Sequence, residues 1–190
     1  RKVIVFSNGT VPLADAIIKQ THAYGVEWVI NINQPELYPA RLRDNLHNNL
    51  AALGHAASLN VNFFSVTQSY DFVFDFFARF AGKRLLKIGI AHPVATKRNT
   101  YIAPALWPQL RVILDDFFAK AQAANIHLAT ECGVPACLFK ELHSKYPGLL
   151  AQDEISHCGS RLDITPAGRL INCLPLSKIA TVDYDVFADY

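Results

Sequence analysis

The sequence predicts an α/β protein: a parallel sheet with crossover helices, followed by a small cysteine-rich subdomain built on a β-hairpin. Three observations carry this. Short apolar runs and helix-period segments alternate five times up to residue 130. Beyond that point the alternation stops and turn residues take over. All four cysteines of the chain lie in this last part. The expected division is therefore 1–130 and 131–190.

The elements follow in order. Residues 2–7 (KVIVFS) read as a buried strand closed by Asn8-Gly9. Residues 12–24 read as a helix, with Pro12 near its first turn and Gly25 just past its end. EWVINI, 27–32, is the next strand. The segment 39–57 repeats leucine at helical spacing, at Leu42, Leu46, Leu50 and Leu53. VNFFSV, 61–66, is the third strand and 70–82 a phenylalanine-rich helix. RLLKIGIA, 84–91, is the fourth strand, 104–125 a long helix, and 126–130 the fifth strand. Such a series builds either an open doubly wound sheet or part of a barrel; in both, ligands sit at the carboxyl ends of the strands. After it come a loop with a short helix, then a hairpin over 161–172 turning at Pro166-Ala167-Gly168.

Bulk properties narrow the function classes. The 190 residues are 51% hydrophobic, enough for a sizeable core, and the net charge is +2. No basic arm or acidic tail is present, so nucleic acid is not an expected partner. No apolar run approaches the roughly 20 residues that span a bilayer, so no membrane is expected. With no leader evident, the expected location is the cytoplasm, where thiols stay reduced. The chain contains no methionine and starts at Arg1, which predicts a piece of a longer protein.

Four cysteines are too few for a disulfide scaffold, yet four is the number a metal site takes. Cys132 and Cys137 follow the fifth strand closely. Cys158 and Cys173 flank the hairpin, which brings its own ends together. Four thiolates select zinc or an iron–sulfur cluster. Zinc favours tight pairs at both corners. Here 14 residues separate Cys158 from Cys173, which favours a cluster. The alternatives are a zinc-stabilised α/β binding module without redox chemistry, or ordinary buried cysteines.

The segment Cys158 … Gly168-x4-Cys173, with Ile164-Thr165-Pro166-Ala167-Gly168 inside it, resembles the auxiliary-cluster motif of radical S-adenosylmethionine enzymes. The C-terminal subdomains that carry it there are called SPASM and twitch. CGVPAC at 132–137 is similar to further cysteines of those subdomains. VFSNGT (5–10), VININ (29–33) and LKIGIAHP (86–93) look like the family's third, fourth and sixth barrel strands. The resemblance implies a partial (β/α) barrel followed by the hairpin subdomain. It also implies an auxiliary [4Fe–4S] cluster on Cys132, Cys137, Cys158 and Cys173, and S-adenosylmethionine in the full-length parent.

Asn31 and Asn33 then stand where the family contacts the cofactor's ribose, and Asn8 and Gly9 where a strand end approaches the ligand. The family's Cys-x3-Cys-x2-Cys loop, its first two strands and its Gly-Gly-Glu motif are absent from this sequence. The chain by itself is therefore expected not to cleave S-adenosylmethionine. A peptide or small molecule is the expected substrate class, and an open barrel edge could pair with another copy.

Other residues have two readings each. Thr67 and Gln68 end the third strand near the expected mouth. His92, before Pro93, is a general acid–base candidate or a hydrogen-bonded structural histidine. His157 adjoins Cys158, where crowding argues against both binding one metal, and Glu131 adjoins Cys132. Asp115 and Asp116 are adjacent on a helix and diverge, so they form no carboxylate dyad.

Overall fold

A computed structural model describes residues 3–80, 82–91, 93, 99–131, 136–150, 163–164, 169–171 and 182–183. His92, Cys132, His157, Cys158 and Cys173 lie outside these described residues. The chain divides into two compact units, Arg1–His92 with Thr100–Ser156, and Pro93–Asn99 with His157–Tyr190.

In the first unit the described strands are β1 (Ile4–Ser7), β2 (Glu27–Asn31), β3 (Ala57–Phe63), β4 (Leu85–Ile90) and β5 (His127–Thr130). They alternate with α1 (Asp15–Tyr24), α2 (Ala40–Leu53), α3 (Phe72–Arg79) and α4 (Trp107–Ala123), and α5 (Ala136–Lys145) follows β5. All neighbouring strands pair in parallel, in the order β1-β2-β3-β4-β5. The order never reverses, so the sheet lacks the switch point of a doubly wound fold. Right-handed crossovers in one constant direction place every connecting helix on the same face of the sheet.

The packing agrees with that placement. Ile30, Leu59, Leu86 and Leu128 stand in register across four strands and point into one core. The core also takes Leu46, Leu50 and Leu53 from α2, Val73, Phe76 and Phe77 from α3, and Leu110, Leu114 and Phe118 from α4. The phenylalanine run of 72–80 is thus an apolar helix face, as its period predicts. α5, beyond the change of texture at residue 130, adds Leu138, Phe139 and Leu142 to the same core.

One boundary differs from the sequence reading. α2 stops at Leu53, where Gly54 takes φ 51° and its N–H bonds Leu50 O. Strand β3 then starts at Ala57, four residues earlier than the pattern suggested, and 64–66 turn out of the sheet. Alanines at 56 and 57 fit either period, so only the glycine marked the true end.

The outer edge of β5 is occupied: Leu128 N–H donates to Leu149 O, and Leu128 bridges Leu150 in parallel. Among the described residues nothing pairs with the outer edge of β1, where Val3, Ile4 and Phe6 are exposed. In the second unit, β6 (Asp163–Ile164) and β7 (Arg169–Ile171) pair antiparallel, Asp163 opposite Ile171; the expected turn residues Pro166, Ala167 and Gly168 lie outside the described residues. β8 (Val182–Asp183), which the sequence did not signal, pairs antiparallel with β7. Among the described residues no helix is long and apolar enough to cross a membrane.

Candidate functional site

Strands alternate their side chains, so the row of leucines on the helix side implies an opposite row one residue along. That row is polar. Asn31, Asn60, Lys87 and Ala129 are register partners across β2 to β5. One step further toward the carboxyl ends lie Asn62 and Gly89, with Glu131 N–H bonded to Ile88 O beside them. Both faces of a parallel sheet are ordinarily apolar. Polar residues here mark a surface that does something other than pack against helices.

The face is organised by its own hydrogen bonds. Asn31 Oδ1 accepts from Asn60 Nδ2 at 3.1 Å and from Asn62 Nδ2 at 3.3 Å. Asn62 lies directly over Gly89; a Cβ there would collide with its Oδ1, so glycine is what the amide requires. With its amide nitrogen spent on Asn31, Asn60 keeps a buried Oδ1 that has no hydrogen-bond partner among the described residues. Lys87 Nζ stands 3.5 Å from Glu131 Oε1 and 5.8 Å from the centre of the Phe6 ring. The side chains of Lys87 and Glu131 are mostly buried, at 15% and 19% exposure.

The Lys87–Phe6 contact has a geometric consequence. β1 and β4 are three strand spacings apart, about 14 Å on a flat sheet. The ammonium on β4 and the ring on β1 therefore lean toward each other over β2 and β3, as side chains do on a concave face.

The loops at the carboxyl ends are pinned by two phenols. Tyr38 Oη accepts from Asn33 N–H at 3.1 Å, after β2. Tyr70 Oη accepts from Phe64 and Ser65 N–H at 3.0 and 3.2 Å and donates to Ser65 O, after β3. Burial pushes both phenols above their ordinary range, the hydrogen bonds opposing it, so each stays protonated. Gln34 Nε2 to Ser69 O ties the two loops together.

The loop after β1 is held from α2. Asn49, buried, donates to Gly9 O and Val11 O at 2.7 Å each and accepts from Leu13 N–H at 3.0 Å. Asn45 adds one bond to Thr10 O. Asn49→Ala orphans three backbone groups and is expected to cost about 2–4 kcal/mol. Asn45→Ala removes one half-buried bond and should cost about 1 kcal/mol. Urea unfolding of the two variants decides; equal losses would refute the strap.

The residues expected from the sequence divide accordingly. Asn31 sits on the concave face. Asn8 is exposed and spends its Oδ1 on Thr10 N–H and Oγ1, a local turn. Gly9 is buried in that turn, and Asn33 is engaged by Tyr38. Thr67 Oγ1 pairs with Ser65 Oγ, and Gln68 is half-buried in the same loop. Glu131 joins the concave face. Asp115 binds Lys145 and Tyr146, whereas Asp116 binds Lys120, so the two carboxylates diverge as expected. Of the cysteines, only the backbone of Cys137 is described, as the second residue of α5.

Asn60, Asn62 and Lys87 were not expected. Their signal was present: Ser58, Asn60 and Asn62 alternate with Leu59, Val61 and Phe63. Among the described residues, no three His, Cys, Asp or Glu side chains gather as a metal site. Compared with known protein families, with curated proteins and with solved structures, the chain matches none.

Proposed function

We propose that this chain is the C-terminal part of a radical S-adenosylmethionine enzyme, an arc of (β/α) barrel followed by a hairpin subdomain for an auxiliary [4Fe–4S] cluster. The observation that carries the reading is the concave polar face of a parallel sheet whose strand order never reverses. A barrel arc has that order and helices on one side only, with the opposite face turned to the lumen. The outer edge of β1, which has no partner among the described residues, is where further parallel strands would continue the arc.

In this reading the lumen face holds cofactor and substrate, with Asn31 at the carboxyl end of β2 as a ribose contact. Its shared acceptor role fixes the amide plane, leaving its own Nδ2 for a ligand oxygen. Asn8, Gly9 and Asn33 then shape the rim through backbone rather than bind through side chains. The chain carries no Cys-x3-Cys-x2-Cys loop, so the reading assigns it no cleavage of S-adenosylmethionine by itself.

The donor set suits the auxiliary group. Cys132, Cys137, Cys158 and Cys173 are four soft thiolates. β6 and β7 pair with Asp163 opposite Ile171, and in this reading Cys158 and Cys173, which flank them in sequence, supply two of the four ligands. Such a cluster supplies an electron-transfer partner or a coordination site for substrate. A reducing cytoplasm, which keeps the thiols free, belongs to the same reading.

The test is metal and sulfide content after strictly anaerobic purification and reconstitution. About four irons and four sulfides per chain are expected. One zinc without sulfide after reconstitution overturns the reading in favour of a structural zinc module. No metal at all overturns both.

A further inference from the structure

Lys87 is the one cation on the described concave face, and its surroundings leave it under-used. Its ammonium has three donors. Among the described residues it meets only Glu131 Oε1 at 3.5 Å and the Phe6 ring. A closed charge-assisted bond would be about 2.7–2.9 Å. Burying an ammonium to this degree is costly unless partners repay it.

Directly opposite Lys87 in the register is Asn60, whose residue exposure is 8% and whose Oδ1 lacks a partner among the described residues. On the other side is Ala129, whose methyl offers the ammonium no hydrogen-bond partner. A cation with spare donors and an orphan acceptor on adjacent strands together form half of a recognition site.

We propose that this face binds its substrate through a carboxylate held by Lys87 Nζ and a neighbouring N–H donated to Asn60 Oδ1. The ligand class is a monoanion with an N–H beside its carboxylate, as in an N-acylated amino acid. Glu131, next to the ammonium, offsets part of its charge and disfavours a phosphate dianion. Phe6, 55% exposed, offers an apolar wall for the rest of the molecule. The inference takes from the proposed function only that this face holds a small molecule; the cysteines play no part in it.

The experiment is ligand-observed NMR titration of the full chain, both chelated and iron-reconstituted. Three probes separate the two contacts: N-acetylglycine, N-acetylglycinamide without the charge, and N-acetylsarcosine without the N–H. N-acetylglycine is expected to bind about tenfold tighter than either, since the amide loses a charged hydrogen bond and the sarcosine leaves the buried Asn60 Oδ1 unpaired. Lys87→Met should abolish the preference for the carboxylate, and Lys87→Arg should keep it, with both variants folded by circular dichroism.

Equal binding of the three probes, no binding, or an unchanged preference in Lys87→Met overturns the proposal. Competition by inorganic phosphate also overturns it, by showing a general anion site. Because the chelated chain is tested too, failure of the cluster reading leaves this result independent.

Discussion

Alanine at Cys158 or at Cys173 is expected to abolish iron and sulfide binding by the reconstituted chain. Each replacement removes one soft thiolate and leaves a gap that no oxygen or nitrogen ligand of equal softness fills. The two cysteines flank in sequence the strands Asp163–Ile164 and Arg169–Ile171, and in the proposed reading both are ligands of the cluster. The parallel sheet, a separate compact unit with its own core, should keep its far-ultraviolet signal and melting temperature in both variants. Full iron in either variant would sink the cluster assignment. Loss of the sheet together with the iron would show instead that the cysteines support the fold.

Gly9→Ala is the second large effect, expected to cost about 3 kcal/mol. Two terms add. Gly9 has φ +68°, in the left-handed region where a Cβ costs about 1–2 kcal/mol. Its added Cβ would also stand 2.8 Å from Leu46 Cδ1 and 3.0 Å from Ile30 Cγ2, an overpacked contact of about 1–3 kcal/mol.

Gly25 separates the terms. It has φ +61° at the end of α1, with nothing within 4 Å of an added Cβ. Gly25→Ala should therefore cost only about 1 kcal/mol. Urea denaturation of both variants measures the difference. Equal costs would mean that the ends of Leu46 and Ile30 yield and that Gly9 serves conformation alone.

Gly9 and Asn8 also show how a site can be misplaced in a sequence. Asn-Gly at a strand end suggests close approach to a ligand. Here the glycine makes room for Leu46 and Ile30, and the asparagine closes a turn on Thr10. Both uses are local or packed against a distant helix, and both look alike on the page of the sequence.

The sequence by itself determined the alternation of strands and helices, because burial on a sheet and on a helix impose different periods. It determined the parallel pairing, because each strand is followed by a helix long enough to cross back. It also determined the antiparallel pairing of Asp163–Ile164 with Arg169–Ile171, the two strands of the expected hairpin.

Tertiary structure alone decided the rest. Whether each new strand adds beyond the last or reverses past the first depends on contacts far apart in the chain, and neighbouring periods are identical in both cases. The concave face needed that order too. Asn31, Asn60 and Lys87 belong to three different strands, and only their register makes them one surface. The amide network, the ammonium reaching toward Phe6 and the strap from Asn49 are all contacts between residues at least 29 positions apart in the chain, which no local period can encode.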